Sequence, residues 1–172
     1  MSGKFKVTIE KRSAVEVFGQ KISTTYANAA KDCPKLWEDF CQKYFSCTTQ
    51  AGCDSCAEMQ ANDCSFATES YGISMMTSPG GFDYWVALPV QGNQACDMPK
   101  MTLPAGDYAV CECQSLEDIG PAYELLYMKH SEWLKSDMPY EINMASPCFE
   151  RYPQDFMTVK RFYVCAPLKT KS

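Results

Sequence analysis

The chain has 172 residues, 46% hydrophobic and 22% charged, which is enough for one sizeable domain or for two small halves sharing a core. Lys and Arg number 16 against 21 Asp and Glu, a net charge of −5, and this acidic balance argues against a nucleic-acid-binding surface. No run approaches the ~20 apolar residues that span a bilayer, so neither nucleic acid nor membrane is expected as a direct partner.

The N-terminus, Met-Ser-Gly-Lys-Phe-Lys, lacks the apolar core of a secretory signal. The 11 cysteines therefore read as thiols of a cytoplasmic protein rather than as a disulfide framework. Residues 6–10 and 14–18 alternate in the manner of strands. A helix follows from near Asn28 to Phe45, with Cys33, Leu36, Trp37, Phe40, Cys41 and Tyr44 on one apolar stripe. Pro34 fits it close to the first turn, and Trp37 reads as core packing. Residues 46–68 are small and polar, with Cys47, Cys53, Cys56 and Cys64 among them. Four thiolates at these positions offer a tetrahedral metal set, but with spacings unlike those of familiar zinc modules; buried or incidental thiols are the competing reading. No cofactor is expected.

Strands at 71–77 and 82–90 are joined by Ser-Pro-Gly-Gly, a turn signal. Residues 101–113 carry Pro-Ala-Gly, a turn or bulge ahead of a further strand. Ser115-Leu-Glu-Asp118 fits a capping box for a second helix, striped by Ile119, Ala122, Tyr123, Leu126, Tyr127, His130, Trp133 and Leu134. His130, the one histidine, reads as a buried, hydrogen-bonded residue. The last two strands are 147–152 and 161–168. In the first of them alternation puts Cys148, Glu150 and Tyr152 on one face and Phe149 and Arg151 on the other. By pattern alone Glu150 is either a solvated glutamate on a half-exposed strand or an acid among aromatic rings, where its charge requires a partner.

Residues 14–90 thus read strand, helix, strand, strand, and residues 101–168 repeat that order. Neither half buries much alone. The expected architecture is α+β: one domain of two βαββ units, antiparallel strands, two long helices on one face and a groove between the halves, where binding sites tend to lie. Gly-x-Ser-x-Gly, phosphate-loop and dinucleotide motifs are absent.

Several stretches together resemble the GyrI-like small-molecule-binding domain, the effector-binding module of certain bacterial transcription activators. They are Phe82-Asp-Tyr-Trp85 with Ala87, Leu103-Pro-Ala-Gly-Asp-Tyr-Ala-Val110, Glu132-Trp-Leu134, Phe149-Glu-Arg-Tyr152 and Phe162-Tyr-Val-Cys-Ala-Pro-Leu168. The resemblance covers nearly the whole chain. It implies a duplicated βαββ fold whose groove takes flat, often cationic, amphipathic molecules, with Glu150 projecting into it. About 14 residues precede the first matching strand, so a stand-alone module is expected, or one that reaches DNA through a transcription-regulator protein. A buried carboxylate beside aromatic faces suits delocalised cations, each cation–π contact contributing roughly 0.5–2 kcal/mol. Tyr71, Tyr84, Trp85, Tyr108 and Tyr152 are the candidate walls, although Tyr84 and Trp85, being adjacent, face opposite ways unless a bulge intervenes. Some relatives hydrolyse cyclopropane-bearing toxins; in that alternative Glu150 is the general base and Tyr108 the proton donor, with Glu112 as a second acid. A third alternative is a co-regulator or inhibitor acting through a protein partner.

Overall fold

A computed structural model describes residues 4–49, 66, 68–90 and 97–172, with side chains of 45–49 excepted. The alternating stretches form nine strands: β1 (Val7–Arg12), β2 (Val15–Thr25), β3 (Ser70–Ser78), β4 (Gly81–Pro89), β5 (Lys100–Leu103), β6 (Gly106–Cys113), β7 (Tyr140–Ile142), β8 (Cys148–Tyr152) and β9 (Phe162–Thr170). The long helix α1 is Ala29–Thr49. It starts where expected but takes Pro34 into its second turn, where proline has no N–H to offer the preceding turn. The start is secured by the amides of Lys31 and Asp32, which donate to Asn28 O at 3.0 and 2.9 Å. Asp32, acidic in the first turn, also accepts from Thr24 Oγ1 at 2.7 Å.

The second helical segment is not the continuous helix that the stripe predicts. It runs as a 3₁₀ turn (Leu116–Asp118), a short α2 (Ile119–Tyr123), a π turn (Glu124–Met128) and a further 3₁₀ turn (His130–Glu132). The π turn closes through Lys129 N donating to Glu124 O at 2.9 Å. Trp133 Nε1 donates to Leu125 O at 3.1 Å, satisfying a carbonyl that the widened turn frees. Asp118 anchors the start by accepting from the amides of Gln114 and Ser115 and from Lys4 Nζ. His130 is exposed rather than buried, with Nδ1 near Tyr127 O. A single turn, α3 (Phe156–Val159), precedes β9.

All strand pairings are antiparallel, in the order β1-β6-β9-β8-β3-β4-β2-β5, with β7 added on β9. Each half contributes the same arrangement, β3-β4-β2 and β8-β9-β6, and the halves join where β3 pairs β8. The leading strand of each half crosses to the other: β1 pairs β6, and β5 pairs β2. Since β1 runs on into β2 and β5 into β6, the sheet must curl. Gly106, at φ +151°, makes one of those corners in a conformation that side-chain-bearing residues rarely adopt.

Curling gives the sheet two faces with separate cores. Tyr71, Ile73, Tyr108, Val110, Phe149 and Cys165 fill the inner face. On the outer face α1 lays Leu36 and Phe40 on Phe18, Phe82, Val86 and Leu88, and α2 with its π turn lays Ala122, Leu125 and Leu126 on Cys111, Phe162, Val164 and Ala166. The helices cover the flanks of that face and leave its middle, β3 and β8, between them. Among the described residues no helix is long and apolar enough to cross a membrane.

Candidate functional site

A cavity of about 1550 Å³ opens between α1 and the α2 segment, over the seam where the halves meet. Strand alternation supplies its floor. Ser70 and Ser74 of β3 and Cys148, Glu150 and Tyr152 of β8 line it, while Tyr71, Ile73 and Phe149 turn to the inner core. Ala30, Cys33, Pro34 and Trp37 form one wall, and Ile119, Gly120, Tyr123 and Tyr127 the other.

Glu150 is only 4% exposed. It lies opposite Gly72 in the β3–β8 register, and this glycine makes room for it. A Cβ at position 72 would stand 2.3 Å from Tyr84 Oη and 2.5 Å from Glu150 Oε2. Burial pushes the Glu150 carboxyl up to about 8, with its own backbone amide and the Tyr123 hydroxyl pulling partly back. Glu150 Oε2 and Tyr123 Oη are nevertheless both buried without a partner in hydrogen-bonding geometry. No ion pair reaches Glu150 among the described residues. Raised to about 8, the carboxyl is mostly protonated near neutral pH, and its charged form has no ion-pair partner among the described residues.

The rings around it are held by one another. Trp37 Nε1 donates to Tyr84 Oη at 2.9 Å, and the Trp37 ring meets Tyr152 edge-on, with centroids 5.3 Å apart. Tyr152 in turn stacks on Phe162 at 5.0 Å. Tyr123 and Tyr127, four residues apart on one helical face, lie tilted at 6.3 Å and both line the cavity. Burial raises Tyr84, Tyr123 and Tyr152 well above the ordinary phenol range, with the Glu150 carboxyl the next cause. They are therefore neutral donors and flat faces. Burial also pushes the Cys33 and Cys148 thiols up, to about 12 and about 11, which makes them poor nucleophiles.

Three of the sequence-predicted wall residues stand elsewhere. Tyr71, Trp85 and Tyr108 belong to the opposite face of the sheet, for the alternation that brings Tyr84 and Glu150 to the cavity sends them away. Tyr71 donates to Glu69, Tyr108 Oη donates to Pro104 O at 2.6 Å, and Trp85 carries Lys21 Nζ 5.8 Å from its ring centre. The hydrolytic pairing of Glu150 with Tyr108 is thus not assembled: the sheet separates them. Sequence reasoning assigned Trp37 to the core, and it did not place Tyr123 or Tyr127 at a site. The two aromatic-rich helical stripes were the available signal, since a stripe facing a duplicated half faces the seam as well as the sheet. The side chain of Cys47, and Cys53, Cys56 and Cys64 altogether, lie outside the described residues. Cys41 is disulfide-bonded, unlike the all-thiol expectation; Cys33, Cys111, Cys113, Cys148 and Cys165 are free.

The curled antiparallel sheet, the paired helical layers and the cavity across the seam define a GyrI-like effector-binding fold. Residues 8–164 match the model of the Cass2 family, integron-associated effector binding proteins, and the chain belongs to that family. Its fold is shared with SAV2435, solved bound to tetraphenylphosphonium, at 14% identity and a TM-score of 0.63 over 95% of this chain and 94% of that one. The integron cassette protein VCH_CASS2 of Vibrio cholerae superposes with a TM-score of 0.57 at 14% identity, over 96% and 99% of the two chains. The C-terminal domain of EcmrR does so at 0.58 and 10% identity, over 98% and 99%. None of the curated protein sequences matches the chain.

Proposed function

We propose that the chain binds amphipathic, cationic small molecules in this cavity, with Glu150 as the counter-charge and Trp37, Tyr84, Tyr123 and Tyr152 as the walls. The observation that carries this reading is a buried carboxyl that no ion pair reaches among the described residues, set beside aromatic rings in a cavity whose charged lining residues, Lys31, Lys35, Glu38 and Glu124, are exposed. A lipophilic cation supplies what that carboxyl lacks. It needs little desolvation, its apolar body fills the cavity, and its charge is met by Glu150 once the proton leaves. Flat faces and an undirected charge pairing set few demands on ligand shape. The tetraphenylphosphonium bound to the structurally similar SAV2435 supports the same reading. Such capture serves sequestration of a toxic compound or, with a transcription-regulator protein, presentation of an effector.

The test is a fluorescence titration with tetraphenylphosphonium in a Trp85→Phe background, where Trp37 and Trp133 report. Quenching is expected, with affinity at least about tenfold weaker in Glu150→Gln, as for a charge-assisted contact of ~1.5–3 kcal/mol. Saturable binding that ignores the substitution sinks Glu150 as counter-charge.

A further inference from the structure

The cavity changes character between floor and mouth. Of the eight large apolar side chains exposed among the described residues, all but Ile9 and Val159 line this cavity: Tyr26, Met76, Leu116, Met128, Met144 and Met157. The four methionines come from four separate segments, the far end of β3, the π turn, the β7–β8 connection and α3. Exposed apolar side chains gathered at one place mark a contact surface. Methionine, unbranched and polarisable, adapts to apolar partners of varied outline. Tyr26 lies on Phe82 at 5.3 Å between ring centres, and Phe82 also lines the cavity, so the apolar surface continues inward from the lip. At about 1550 Å³ the space also exceeds the roughly 300–1,000 Å³ of most small-molecule pockets. A compact cation resting on Glu150 leaves the outer part unfilled.

We propose that this methionine-rich lip is a second, apolar subsite, and that the ligands the cavity favours are elongated amphiphiles, with a cationic head on Glu150 and a hydrocarbon tail along the lip. The inference rests on the reading of Glu150 given above and adds the length and shape of the ligand to it. A tail laid on the lip covers side chains that otherwise stand in water, so affinity rises with each methylene until the chain outruns the lip.

Alkyltrimethylammonium ions from butyl to dodecyl, each kept below its micelle concentration, test this by calorimetric titration. The wild type is expected to gain up to about fourfold in affinity per added methylene, the ~0.8 kcal/mol of a buried CH₂ converted at 1.4 kcal/mol per decade. In the Met128→Gln/Met144→Gln double variant that gain ends at shorter chains. Ile9→Gln, which alters an exposed apolar residue outside the cavity, retains the full slope. The proposal is overturned if the wild type stops gaining by hexyl, or if the double variant follows the wild-type slope to dodecyl. Glu150→Gln is expected to weaken the whole series by one factor and leave the slope intact. If Glu150→Gln binds the series as tightly as the wild type, the counter-charge reading fails while the lip, judged by slope, stands. If no member binds the wild type, both fall.

Discussion

Glu150 titrates in the folded chain near pH 8 and from an ordinary value of 4.5, and the sign of that shift governs two measurable quantities in opposite directions. Between these two values the folded state holds a proton that the unfolded state has released, so this group's contribution to stability is fully present below about 4.5 and is lost as pH rises through about 8. Glu150→Gln keeps the hydrogen-bonding shape without a charge. It is expected to remove that slope and to raise the melting temperature at pH 8–9, read by thermal scans across pH. Cation affinity runs the other way, rising with pH up to about 8 and levelling above it, since below 8 the proton must leave first. A titration of tetraphenylphosphonium at pH 6 and pH 9 checks this. Gly72 is the second decisive position. A methyl group there collides with the Tyr84 hydroxyl and the Glu150 carboxyl, which are side-chain ends able to yield only into the cavity. Gly72→Ala is therefore expected to cost about 1–3 kcal/mol of stability, while lowering tetraphenylphosphonium affinity at least about tenfold. Denaturant melts and binding curves on the same variant separate the two effects.

Among the elements, the π turn does most to shape the cavity. Tyr123 and Tyr127, four residues apart on one helical face, line one wall, the five-residue closure over Glu124–Met128 carries the second of them, and the indole N–H of Trp133 holds the freed Leu125 carbonyl. Trp133→Phe keeps a six-membered ring in the packing and removes that donor with the five-membered ring that carries it. A destabilisation of about 1 kcal/mol is expected from the unpaired carbonyl, together with weaker ligand binding as Tyr123 and Tyr127 lose their fixed placement. Amide exchange at Lys129, whose N–H closes the turn, gives the direct readout: faster exchange in the variant is expected, and unchanged exchange excludes the capping role. Helix α1 shows a related economy. Its apolar stripe packs Leu36 and Phe40 on the sheet, while Cys33 and Trp37, toward the edge of the stripe, face the seam and line the cavity.

For the whole molecule, the seam is both the join and the site. β3 and β8 pair across it, and beneath them Phe149 stands edge-on to Tyr71 at 5.6 Å and to Tyr108 at 5.3 Å, tying strands of both halves on the inner face. Phe149→Ala is expected to cost about 3–5 kcal/mol, seen as one cooperative loss of both halves rather than separate melting, because no half keeps a closed core without the other. A two-step unfolding curve for this variant contradicts that coupling. The crossing of β1 and β5 into opposite halves reinforces the same dependence.

Much of this was legible from residues alone. Period-two runs located the main strands, the repeat of strand, helix, strand, strand located the halves, and alternation in Cys148-Phe-Glu-Arg-Tyr152 already separated Glu150 and Tyr152 from Phe149. Local sequence carries such information because side-chain direction within a strand is set by neighbouring backbone units. It does not say which face of a curled sheet carries the helices. That is why Tyr71, Trp85 and Tyr108 read as plausible walls until the inner core claimed them, and why Trp37 read as mere packing. Nor does a helical stripe announce a π turn, which depends on a distant indole to take up the carbonyl that it frees. The chain's own pattern determined an acid on a known strand face within a duplicated fold. Tertiary packing alone decided that this acid is buried with no ion-pair partner among the described residues, because burial depends on what two helices, far apart in sequence, leave uncovered between them.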